Sequence, residues 1–182
     1  MILIEILNRI KFWENSDRIG PDIPYSHWRL YFHSTMTKLC KKKFKYFGES
    51  SEFRPGAYAI TCSKISIGKR VIIRPGSMLF ADPREGGAGI KIEDDVLLGS
   101  GIHIYVHNHS YTNNSVPIID QGFDFSKSVV IKKGSWIGAK VIILPGVTIG
   151  ENSVIGAGSV VVKNIPDRVV AIGNPARVIK SL

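Results

Sequence analysis

Cysteine is nearly absent: Cys40 and Cys62 are the only two among 182 residues. A single possible pair makes no disulfide framework and the spacing fits no zinc motif, so both are expected to be reduced and structural. Long apolar runs are missing as well. The longest near the N-terminus is MILI, far short of the roughly 20 residues that span a bilayer, and no small-residue cleavage site follows a signal-like core. A cytoplasmic protein is the expectation. Acidic residues are the scarcer charge, 15 against 24 basic, leaving a formal net charge of +9. Much of the excess lies in KLCKKKFK, from Lys38 to Lys45. No helix-turn-helix, zinc finger or aromatic RNA-binding platform accompanies it, which places nucleic acid behind phosphorylated cofactors, nucleotide sugars and anionic lipid surfaces as the partner. A solvated basic turn would carry the same charge.

What the chain does have is a period of six. Ile131, Ile137, Ile143, Ile149, Ile155 and Val161 stand at every sixth position, a spacing that neither the 3.6-residue period of a helix nor two-residue alternation produces. It predicts a β-helix in which each hexad is a short strand plus a corner, and three hexads close one triangular coil. Two positions before the aliphatic residues lie Ser135, Val141, Val147, Ser153 and Ser159, small or β-branched as a second inward site near a corner requires. The phase recurs upstream with slips: Phe47, Phe53, Ala59 and Ile65, then Ile67, Ile73 and Leu79, then Ile92, Leu98 and Ile104. The count gives about five coils and a height of about 24 Å at strand spacing. ADPREGGAG, after Leu79, reads as an extruded corner.

Residues 1–46 are expected to form a short helical cap and residues 47–182 the coil, as one functional domain. Leu3, Ile6, Leu7, Ile10 and Trp13 share one face of a helix over Ile2–Trp13. Such a stripe could lie on a membrane surface, but packing on its own protein is the commoner fate. SHWRLYFHSTMTKLC reads as a continuation of the cap over the open end of the coil. The longest excursion, about 107–128, starts at His107 and His109 and carries Phe123 and Phe125, apolar side chains that are costly in open water. A neutral imidazole at the mouth of such a loop can accept a proton from a hydroxyl, although surface histidines often do nothing.

Together KKGSWIGAKVIILPGVTIGENSVIGAGSVVVKNIPDRVVAIGNPARVIK and IEDDVLLGSGIHIYVHNH resemble the hexapeptide-repeat acyltransferases, nearest to the sugar O-acetyltransferases of the maltose and galactoside type. The resemblance covers residues from about Phe47 onward. It implies an all-β fold, a left-handed parallel β-helix, and direct acetyl transfer from acetyl-CoA to a sugar hydroxyl, with capsule, O-antigen or exopolysaccharide synthesis as the expected setting. It further implies His109 as general base with His107 as second candidate, and the Ala139 N–H, where the family commonly has serine, as oxyanion donor. Trp136, Gly138, Ala139, Ala157, Gly158, Ser159 and Lys163 fall where the family holds the cofactor, Arg168, Arg177 and Lys180 could meet its phosphates, and Asp82 and Tyr105 could meet the acceptor. Each of these charges also suits plain solvation, and Trp136 suits a plain core rim. A homotrimer with acetyl-CoA between neighbouring coils, and no resident metal, follows from the same resemblance. N-acetylation of a nucleotide-linked amino sugar is the alternative. A γ-type carbonic anhydrase, suggested by His103, His107 and His109, and a non-catalytic scaffold are remoter readings.

Overall fold

A six-residue period closes a coil because each strand is only two or three residues long and the remaining residues of the hexad turn the chain through a corner. The computed structural model describes residues 1–182. It opens with α1 (Ile2–Asn15), β1 (Arg18–Ile19), α2 (Pro24–His27), a 3₁₀ turn and α3 (His33–Lys43). The first coil is β2 (Tyr46–Phe47), β3 (Glu52–Phe53) and β4 (Tyr58–Ile60), and the second is β5 (Ile65–Ile67), β6 (Ile72–Ile73) and β7 (Met78–Phe80). The third is β8 (Ile90–Ile92), β9 (Leu97–Leu98) and β10 (His103–Tyr105). After the long loop come β11 (Val129–Ile131), β12 (Trp136–Ile137) and β13 (Ile142–Ile143), then β14 (Thr148–Ile149), β15 (Val154–Ile155) and β16 (Val160–Val161). A hairpin of β17 (Val169–Gly173) and β18 (Ala176–Ser181) ends the chain.

Strands three apart in order pair in parallel, which makes three faces. The first face is one sheet, β2–β5–β8–β11–β14. The second is divided between β3–β6 and β9–β12–β15–β17–β18, and the third runs β1–β4–β7–β10–β13–β16. Five complete coils are therefore stacked, as the hexad count requires. Register is kept residue for residue: Ile104 pairs with Leu79 below and Ile143 above, and Ile143 with Val161. All six aliphatics from Ile131 to Val161 are fully buried, as are Phe53, Ala59 and Ile65 upstream. Stacked branched side chains on every coil form one core cluster from Ile19 to Ala176.

The inward serines tie successive coils together. Ser51, Ser135 and Ser153 donate to the carbonyls of Gly68, Gly150 and Pro166 at 2.6, 2.8 and 2.6 Å. A buried hydroxyl without such a partner would cost on the order of 1–3 kcal/mol; here each one links a corner to the next. One strand edge at each end is closed by an antiparallel neighbour, β1 on β4 and β18 on β17. α3 buries Met36, Leu39 and Cys40 against the first coil. Cys40 and Cys62 are free and buried, and burial pushes both thiols up.

α1 departs from expectation. Its helix forms as the pattern predicts, but none of its residues is buried; α1 meets α2 and Trp13 is half-buried, while Leu3, Ile6, Leu7 and Ile10 stay exposed.

Candidate functional site

Function is carried where the hexad rule is broken. On the third face alternate residues point outward, so with Ile104 and Val106 fully buried, His103, Tyr105 and His107 lie on the outer side. Tyr105 stacks on Phe80 at 5.1 Å and its hydroxyl meets His103 Nδ1 at 3.3 Å. At His107 the chain leaves the corner between the third and first faces and does not return until β11.

The loop is folded back on its own mouth. Asp124 N–H donates to the Asn108 carbonyl at 3.0 Å and Ser110 N–H to that of Gly122 at 3.1 Å, while Ser110 Oγ reaches Asp124 Oδ1 at 2.7 Å. This pairing lays the Phe123 ring on His109, centroids 4.3 Å apart, and edge-on to His107 at 5.1 Å. Phe125 stays open, 95% exposed.

Arg84, in the extruded corner, holds the loop there. Its guanidinium lies 5.5 Å from the Phe123 ring centre and donates to the Asp124 carbonyl at 2.9 Å. The same group is bidentate to Asp82, 2.9 Å from Oδ1 through Nε and 2.8 Å from Oδ2 through Nη2. The Arg84 hydrogen bonds hold the Asp82 carboxyl well below the usual carboxylate range against an opposing desolvation, with Ser126 adding to the effect. Asp82, expected to meet an acceptor, is only 1% exposed; its carboxylate is turned to Arg84 and anchors the loop. Nothing in the residue pattern marked this clamp beyond an arginine two residues after an aspartate.

His107 is half-buried, and its Nδ1 is buried without a hydrogen-bond partner. Burial pushes its pKa down; Asp82 works against that shift, and Arg84 and His109 add to it. The imidazole is therefore biased to the neutral, proton-accepting form. His109 is exposed beneath Phe123.

A second group of candidates gathers at the corner between the second and third faces. Here Pro55, Pro75, Ser100, Ala139 and Ala157 occupy the same place on successive coils, joined by bonds such as Lys140 N–H to Ser100 O and Gly158 N–H to Ala139 O, both 2.8 Å. The coils approach so closely that a Cβ on Gly99 would stand 2.5 Å from the Ala139 nitrogen, and one on Gly138 2.5 Å from that of Ala157. Ala139 and Ala157 are exposed, and neither N–H has an acceptor in the chain. Trp136, 51% exposed, stands beside this ladder between Leu97 and Val154. The Ser159 side chain points inward, donating to Gly156 O at 2.7 Å and accepting from Gly173 N–H at 3.0 Å, so only its backbone is on offer.

The remaining cations are dispersed. Lys163 follows β16 at the loop's own corner, next in sequence to Val162, which lines a cleft of about 390 Å³ with Asn108, Asp124, Phe125, Lys127, Leu144 and Pro145. Arg168 sits in the corner before β17 with φ +56°, and Arg177 and Lys180 project from β18. No three His, Cys, Asp or Glu side chains converge as metal ligands. Within one chain His107 and His109 lie at the opposite end of the third face from the Ala139 N–H, so the coil does not bring them together.

The Bacterial transferase hexapeptide (six repeats) family matches residues 128–163. The galactoside O-acetyltransferase of Lactococcus lactis is 37% identical over 78% of this chain and 65% of its own length. That of Escherichia coli is 36% identical over 79% of this chain and 67% of its own. The chain thus spans about two thirds of the length of these curated relatives. A solved structure of a galactoside acetyltransferase in complex with coenzyme A superposes with a TM-score of 0.75 at 30% identity, covering 98% of this chain and 79% of that one. The chain belongs to the hexapeptide-repeat family of acetyl-CoA-dependent acetyltransferases.

Proposed function

We propose that the protein transfers the acetyl group of acetyl-CoA to a hydroxyl of a sugar, as the names of its galactoside O-acetyltransferase relatives suggest, in the assembly of a surface polysaccharide. The observation that carries this reading is the open Ala139 N–H on a glycine-thinned corner. A backbone donor with no internal acceptor, on an exposed residue held between close-packed coils, suits an oxyanion that exists only during reaction.

In this reading His109 takes the proton of the sugar hydroxyl as its oxygen attacks the thioester carbonyl. The C–S bond then breaks, and CoA leaves as a thiolate that recovers the proton. His107, kept neutral by burial, orients His109 or the acceptor and is the second candidate base. Tyr105 offers the acceptor a hydroxyl at the loop mouth, and Asp82 serves through Arg84 by fixing the loop. Trp136, the Ala157–Ser159 backbone and Lys163 flank the donor, with Arg168, Arg177 and Lys180 available to its phosphates.

Since one chain separates His109 from Ala139 by the width of a face, the reading calls for a second copy to complete the site. A left-handed coil, capped by residues 1–46 and packed as a homotrimer in the cytoplasm with donor between neighbours, meets that need. The test is steady-state acetyl transfer from acetyl-CoA to a panel of galactosides, glucosides and amino sugars, with light scattering on the same sample. Hydroxyl acetylation by a trimer supports the reading. Acetylation of amino sugars on nitrogen alone would replace it with the N-acetyltransferase alternative, and a chain of about 20 kDa in solution that turns over normally would remove the shared site.

A further inference from the structure

α1 is the one element that the coil does not absorb. Ile2, Leu3 and Leu7 are 73, 66 and 58% exposed. Leu3, Ile6, Leu7 and Ile10 share one side of the helix, with Glu14 at its end, and Glu5, Asn8, Lys11 and Asn15 lie on the other among Ile4 and Phe12. A fourteen-residue helix that meets its own fold at α2 and leaves Leu3, Ile6, Leu7 and Ile10 uncovered presents a surface the coil does not use.

Unpaired positive charge lies beside it. Lys43 Nζ donates to the carbonyl of Ser16, the residue that closes α1, which fixes the last turn of α3 next to the end of α1. Lys38, Lys41, Lys42 and Lys45 are exposed around that point. None of these five lysines has an acidic partner among the chain's ion pairs.

We infer that α1 and this lysine cluster form a docking surface for an anionic lipid bilayer, α1 lying flat in the interface and the ammonium groups meeting lipid phosphates. A bilayer supplies both complements at once, acyl chains for the leucine and isoleucine side and phosphate for the lysines. A second copy supplies the first, but its α1 carries only Glu5 and Glu14 to set against five lysines. Docking here is independent of acetyl transfer at the loop, and it is read without turnover.

The test is co-sedimentation of the full chain with vesicles of phosphatidylglycerol and phosphatidylcholine, against vesicles of phosphatidylcholine alone, at low salt and at about 0.5 M salt, where screening is strong. Binding at least about tenfold tighter to the anionic vesicles, and weakened by salt, is expected. Lys41→Gln/Lys42→Gln/Lys45→Gln should lower partitioning at low salt on the order of a hundredfold, and Leu3→Ser/Leu7→Ser should lower it at both salt concentrations. All five positions are exposed, and circular dichroism checks that the fold is kept. Absence of binding to anionic vesicles, equal binding to both kinds, or wild-type binding by both variants overturns the inference. So does a smaller oligomer of Leu3→Ser/Leu7→Ser without lipid, which would show that a second copy covers the helix.

Discussion

Replacing Ala139 with proline deletes a single hydrogen atom's worth of chemistry from the proposed site. The N–H at 139 has no acceptor within the chain, so no internal hydrogen bond is lost when it goes. The turn conformation also suits the ring. Pro55 and Pro75 already occupy the equivalent place on the first two coils, each ahead of a glycine with φ +86° and +75°, and Ala139 precedes Lys140 with φ +57°. Proline is favoured at the second position of such turns, and at a compatible site it stabilises by about 0.4–1 kcal/mol through the unfolded state. Stability should therefore be unchanged or slightly higher. Turnover should not: loss of one oxyanion donor lowers kcat by about 10²–10³, with the KM for acetyl-CoA changed much less. Stopped assays of thiol release, paired with thermal melts, measure both. An Ala139→Pro enzyme that keeps its melting temperature and retains kcat within about threefold would refute the oxyanion role. A melting temperature lowered by more than about 5 °C would refute the corner geometry instead.

His109→Ala should lower turnover by roughly 10²–10⁴ with the assembly intact, and His107→Ala by less; a His109→Ala enzyme with more than about a tenth of wild-type turnover hands the base role to His107. The His107 ring, followed by NMR, should titrate below the roughly 6.5 of a free imidazole. Since the folded value lies below the unfolded one, its contribution to stability is full above about pH 6.5 and is lost as pH falls through the folded midpoint; a midpoint above about 6.5 contradicts the burial argument. Ile143→Ala, in the third face between Ile104 and Val161, should cost about 2–5 kcal/mol, about 4–20 °C in melting temperature at this chain length. A loss under about 2 °C would show that the stack can collapse around the gap.

The coil was legible from residue spacing because a β-helix repeats one local rule. Each inward aliphatic from Ile131 to Val161 meets the same environment, so pattern alone places it. Phe47, Phe53 and Ala59 obey the rule from the first coil although their sizes differ. The histidines were found for the opposite reason, as the point where the rhythm fails and a long segment begins. Arg84 was not found, since nothing local marks an arginine whose partners, Phe123 and Asp124, lie about 40 residues on. Asp82 was read as facing an acceptor for the same reason: burial beside Arg84 and Ser126 is a property of two excursions meeting.

Sequence by itself determined the period, the number of coils, the inward positions and the two segments that depart from them, because strand alternation and corner chemistry act over a few residues. Tertiary structure decided what those departures do. It laid Phe123 over His107 and His109, left the Ala139 N–H without an acceptor where it stacks on Gly99, set the two groups at opposite ends of one face, and left the α1 stripe from Leu3 to Ile10 exposed. Each of these is a relation between residues far apart in the chain, and such contacts are fixed only once the coils have stacked and set the distances between their corners.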